Sequence, residues 1–177
     1  MSIRFQYIIY IVVIGITIQS CTSLKGINPY YQESPEPKVS QEYDEYKDRY
    51  IYRASPARIH KEPGHTIAIK AFYLCEQKNC TPDIISVGFT SLANTWMYLK
   101  HREINIIADE QRYAFNPDHS GSVIDQYSLL EQMSIQLSTS EFIDIFTADN
   151  IRIKVGITEA NFNKQPTSLR RIAKIIQ

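Results

Sequence analysis

The sequence has little of what would assign it a chemistry at sight. Three cysteines in 177 residues exclude a disulfide-dense miniprotein, and six glycines with eight prolines exclude a collagen-like chain. Net charge is absent too: 19 Lys+Arg stand against 19 Asp+Glu, so no whole-protein field draws nucleic acid or an acidic substrate. Charge is not the dominant feature, however, and a 44% hydrophobic content argues against a wholly disordered chain. There is no Gly-x-Gly-x-x-Gly, P-loop, His-Glu-x-x-His, EF-hand loop or Gly-x-Ser-x-Gly elbow. The sequence therefore assigns no catalytic residue, no metal and no cofactor, and the chain is read as a non-enzyme.

What is present begins at the N-terminus. Met1 to Arg4 form a short basic start, and Phe5 to Ile18 follow as 14 uncharged residues. As a helix at ~1.5 Å per residue that run reaches about 21 Å, short of the ~30 Å hydrocarbon thickness. The length suits the apolar region of a signal peptide over residues 1–20. Ile18-Gln19-Ser20-Cys21 then resembles a lipobox, the signature of bacterial lipoproteins. The resemblance covers residues 1–21 and implies that Cys21 becomes a lipidated N-terminus, carrying diacylglycerol and an N-acyl chain such as palmitate. Two or three acyl chains attach a protein stably where one does not. The implied address is the bacterial cell envelope, facing the periplasm or the exterior. Thr22 after the cysteine points to the outer membrane in a Gram-negative cell.

Residues 21–56 read as a lipidated terminus followed by an acidic Tyr/Pro-rich tether. Pro29, Pro35, Pro37 and Pro56 deny it regular structure. Between Asn28 and Asp48, Glu33, Glu36, Glu42, Asp44, Glu45 and Asp48 outweigh Lys38 and Lys47. Tyr43, Tyr46 and Tyr50 have the i, i+3, i+7 spacing of a short amphipathic helix over 40–52. Two readings are open: a polar tether whose last turn packs on the domain, and a Tyr-rich segment that orders on a partner.

Residues 57–177 read as a β-rich globular domain. Strands are expected over Thr66–Cys75, Ile84–Thr90, Thr95–His101, Glu103–Ala108 and Arg112–Phe115, with a turn over Asn116–Gly121. Val123 to Leu137 reads as one long strand. Ile151, Ile153, Val155 and Ile157 alternate with polar residues, the period of a strand with one wet face. Ser138 and Glu141 have capping-box spacing ahead of Phe142, Ile145 and Phe146. Leu169, Ile172, Ala173 and Ile176 form the apolar stripe of a C-terminal helix. Strands in succession with helices entering late predict a mainly β fold: an antiparallel β-sandwich-like domain with a short internal helix and a C-terminal helix.

Few residues invite a site. Cys75 and Cys80 flank a polar turn, which predicts a disulfide outside the cytoplasm; the rival is a metal site with His60 and His65. Asp118, His119 and Ser120 look like acid, base and nucleophile, but turn chemistry explains them as well. His101 and Arg102 are candidates for a ligand-facing cluster. Trp96, Tyr98 and Tyr113 would line a cavity between sheet layers, the basis of a second reading as a small-molecule, glycan or ion carrier. Glu131 falls on the apolar face of its strand. A bulge or edge position turns it outward, or Arg102 or Arg112 pairs it, or it is a raised-pKa acid. The expected partners are a membrane, through the N-terminal lipid, and another envelope protein; nucleic acid is not expected.

Overall fold

The computed structural model describes residues 38–161 and 167–177, which belong to one compact unit. The signal peptide, the lipobox with Cys21 and the tether up to Pro37 lie outside the described residues. In chain order the elements are β1 (Val39–Asp44), β2 (Arg49–Ala54), β3 (Ala57–Glu62), β4 (His65–Cys75), β5 (Ile84–Ala93) and β6 (Ile104–Ala108). Then come β7 (Gln111–Phe115), β8 (Asp118–Asp125), β9 (Ser128–Ser138), α1 (Thr139–Thr147), β10 (Ile151–Val155), β11 (Thr158–Asn161) and α2 (Thr167–Ile176).

The strands form two antiparallel sheets. The larger has seven strands in the order β1-β2-β4-β5-β9-β8, with β3 joined to the start of β4; the smaller runs β11-β10-β6-β7. The fold is mainly β and sandwich-like. Alternation decides what lies between the layers: Ile67, Ile69, Ala71 and Tyr73 of β4 are buried while Lys70, Phe72 and Leu74 face outward. Ile104 and Ile106 of β6 and Ile153 of β10 close the core from the smaller sheet.

Both helices form where expected. Ser138 caps α1, its hydroxyl accepting the Glu141 N–H while the Glu141 carboxylate accepts the Ser138 N–H at 2.9 Å. The Ser138 hydroxyl, donating to that carboxylate at 2.7 Å, and then the Ser138 N–H hold the Glu141 carboxyl below its ordinary value. Phe142, Ile145 and Phe146 are buried behind the cap. The α2 stripe of Leu169, Ile172, Ala173 and Ile176 packs on α1 and reaches β1 and β2. Ser168 donates from its hydroxyl to the Ser55 carbonyl at 2.7 Å.

Five expectations are corrected. The tether does not extend to residue 56, because β1 and β2 make a hairpin paired into the large sheet. The tyrosine spacing is cross-strand and not helical: Tyr43 stands opposite Tyr50, and Tyr46 sits exposed at the turn. Pairing of β2 with β4 satisfies the backbone, and Tyr52 stacks on Tyr73 at 4.6 Å, which outweighs a marginal isolated helix. Val123–Leu137 is not one strand, since a hairpin separates β8 from β9. Asp118 to Gly121 belong to β8, so only Asn116-Pro117 separate β7 of the smaller sheet from β8 of the larger one. Finally, Thr95–His101 is irregular, because its amides turn toward Glu131.

Candidate functional site

Strand β9 keeps its alternation at Glu131, which faces inward between Ser91 of β5 and Gly121 of β8. A carboxylate there would be costly without partners, and it has three. Its Oε2 accepts the Met97 N–H at 2.7 Å and its Oε1 the Tyr98 N–H at 3.0 Å. The His119 Nε2 lies 3.2 Å from the same Oε1. Glu131 is only 1% exposed. The bulge that would have turned it outward is absent, and its partners are main-chain amides and a histidine, not Arg102 or Arg112. A backbone segment turned end-on offers two donors with no charge of its own to desolvate, which an arginine cannot match.

The polar network continues through Tyr98, whose ring is fully buried. Its hydroxyl donates to Thr158 Oγ1 at 3.0 Å and lies 3.1 Å from His65 Nε2. Burial, reinforced by the charge of Glu131, pushes the Tyr98 phenol up to about 12 against a pull from the Thr158 bond. Burial pushes the His65 imidazole below its ordinary value, and His60, with ring centroid 4.9 Å away, lowers it further. Gly156 is required beside this network. It adopts φ +55°, and a Cβ there would sit 2.3 Å from the His101 carbonyl oxygen and 2.8 Å from Tyr98 Cδ1.

The arrangement is a closed structural lock on the β5–β6 connection. His119 and Glu131 side chains are 5% and 1% exposed, leaving no room for a substrate between them. The Ser91 hydroxyl is buried without a hydrogen-bond partner among the described residues. It flanks Glu131 on the side away from His119, so the order is Ser–Glu–His and the imidazole does not stand between acid and hydroxyl. Within β8, Asp118 and Ser120 point outward and His119 inward, which separates the three adjacent residues.

The remaining candidates do not converge. Trp96 is 40% exposed and lies over Gly121, where a Cβ would come within 2.5 Å of its Cζ3. Arg102 donates from Nε to the Leu99 carbonyl at 3.0 Å, and His101 is exposed. Tyr113 lies on the edge strand β7, its ring parallel to Phe115. Tyr98 is packed into the core, Trp96 lies over β8 of the large sheet and Tyr113 lies on β7 of the small one, so the three stand apart. Cys75 and Cys80 are bonded, with Cα atoms 5.9 Å apart. His65 and Cys75 stand at opposite ends of β4, roughly 33 Å apart at ~3.3 Å per residue, so the histidines cannot share a metal with this pair. Among the described residues no three His, Cys, Asp or Glu side chains are grouped to hold a metal ion.

Three surfaces remain open. Edge strand β8 ends in exposed Val123 and Ile124, with Tyr127 exposed in the turn that follows. On the outer face of the large sheet, a groove of about 580 Å³ is lined by residues of β1, β2 and β4 with the β2–β3 turn. A second groove of about 300 Å³ adjoins it across Lys70 and Phe72 and runs to Ser120 and Gln132. The sequence pattern could have located the Glu131 lock, since Glu131 breaks an otherwise apolar inward face, but His65 and Thr158 carry no local signal. Comparison with protein-family profiles, curated proteins and solved structures finds no match for this chain.

Proposed function

We propose that this chain is a lipid-anchored bacterial envelope protein whose β-domain is a non-enzymatic interaction module, held outside the cytoplasm by lipid on Cys21. The observation that carries the interaction reading is the β8 edge. Val123 is 66% exposed on a strand with one unpaired side, and Tyr127 is 69% exposed in the turn that follows it. Soluble proteins blunt such edges with charge, proline or cover; β8 carries Asp118 and Asp125 at its ends but leaves Val123 and Ile124 exposed between them, which suits strand addition by a partner. The Cys75–Cys80 bond supports an oxidising compartment. The lipobox-like Ile18-Gln19-Ser20-Cys21 supports anchoring, in the outer membrane for a Gram-negative cell. The partner is then a second envelope protein that offers a strand.

Two measurements test this. Mass spectrometry of the mature N-terminus should find acylated Cys21, and Cys21→Ala should leave the detergent-partitioning fraction; an intact Met1 terminus ends the anchoring reading. Photo-crosslinkers at Val123 and Tyr127 should capture one envelope protein in cells, and Val123→Lys should abolish capture. A chain that stays monomeric and uncrosslinked at both positions ends the interaction reading.

A further inference from the structure

The groove on the outer sheet face combines an apolar floor with a cationic rim. Register places Ile51 opposite Leu74 and Arg53 opposite Phe72 on one face of β2 and β4. Phe72 and Leu74 are 37% and 39% exposed there, although each sits mid-sheet. Arg49, Arg53, Lys70 and Lys38 line the same groove, and no acidic side chain does. Two acids stand nearby on β1: Glu42 engages Arg53, and Asp44 Oδ2 lies 3.6 Å from Arg49 Nε. Glu42 leaves the Arg53 side chain 47% exposed. Arg49 Nε is buried with no hydrogen-bond partner among the described residues. Lys70 has no ion-pair partner among them, and its stem is laid over Gly88, where a Cβ would come within 3.2 Å of Lys70 Cε. That glycine lets the Lys70 stem lie flat along the sheet, and Lys70 lines both grooves.

We propose that this groove is a binding site for a monomeric, single-chain anionic amphiphile, a fatty-acid-like carboxylate. Its apolar chain lies along Phe72, Leu74 and Ile51, and its carboxylate meets Lys70 and the Arg53 guanidinium at the Phe72 end of the groove. A volume of about 580 Å³ falls in the range of small-molecule sites, which pair an apolar lining with a few charged groups. Charge-assisted bonds to arginine and lysine set the sign of the headgroup. The β8 edge takes no part, so the site stands independently of the partner reading above.

The test uses the full chain in phosphatidylcholine nanodiscs, exposed to a diazirine-bearing fatty acid below its micellar concentration, with adducts mapped by peptide mass spectrometry. Adducts are expected on the peptides carrying Ile51 and Phe72, about tenfold above those from an amine-headed analogue of the same chain. Lys70→Glu and Phe72→Ser should each cut labelling several-fold with the thermal midpoint unchanged, both side chains being exposed. Equal labelling by acid and amine overturns the proposal, as does undiminished labelling in Lys70→Glu. So does labelling of the groove by photoactivatable phosphatidylglycerol in the disc but not by the free acid, which would make this face a bilayer contact.

Discussion

Glu131 and Tyr98 are joined across 33 residues by a hydrogen bond from the Tyr98 main-chain N–H to the Glu131 carboxylate, 3.0 Å long and fully buried. With the Met97 bond at 2.7 Å it fastens the β5–β6 connection to β9, the strand beside the β8 edge of the large sheet. Glu131→Ala leaves two buried amides and the His119 ring without their acceptor. The expected loss is about 3 kcal/mol of unfolding free energy in urea titration. Glu131→Gln, which keeps one acceptor oxygen, should lose less. Equal stability of Glu131→Ala and the parent would show that water replaces the carboxylate at no cost.

His65 makes stability depend on pH. Its folded value is lowered from 6.5, so as pH falls the unfolded chain takes up this proton before the folded one does. The contribution is complete above pH 6.5 and declines as pH drops from there through the folded value. Urea midpoints at pH 7.5 and at pH 5 should therefore differ in that direction. The part of the slope due to His65 should vanish in His65→Gln; an unchanged slope would assign it to other groups.

Trp96 is the single tryptophan, and it reports on Gly121. A methyl at Gly121 would meet the indole Cζ3 at 2.5 Å, so Gly121→Ala must push the ring outward. A red-shifted emission and a loss of about 1 kcal/mol are expected. Emission identical to the parent would mean that the ring already stands clear of the strand.

Ile153 lies in β10 with no exposed surface, facing Ile106 of β6. Ile153→Asp buries an unpaired carboxylate and should cost more than about 4 kcal/mol, enough to prevent folding of a domain of ordinary stability. A soluble Ile153→Asp chain with a cooperative thermal transition would put the inward face of β10 in error.

Local signals carried a large part of the fold. The Ser138–Glu141 capping box and the stripe from Leu169 to Ile176 each lie within a few residues, so the information that forms them is contiguous. The same holds for β10, whose alternation needs no knowledge of its neighbours, and for Cys75 and Cys80 across a short turn. The β1–β2 hairpin was not legible, because i, i+3, i+7 tyrosines suit a helix and a hairpin alike. Only β4, with Tyr73 ready to stack on Tyr52, decides between them. The candidate site was legible at one residue: Glu131 stood out as a carboxyl on an apolar face. Its partners His119, Met97 and Tyr98 were not, since two of the three bonds use main-chain groups that every residue possesses.

By itself the amino-acid order determined the mainly β class, the two helices, the cysteine pair and the inward faces of the central strands. Those follow from period, capping and burial, which act over a few residues or through simple alternation. Tertiary structure alone decided where residues 95–103 run, which groups neutralise the isolation of Glu131, and that Arg49, Arg53 and Lys70 share a groove with Phe72. These depend on strand order, because placing β9 between β5 and β8, and β4 beside β2, brings together side chains that the chain itself keeps far apart.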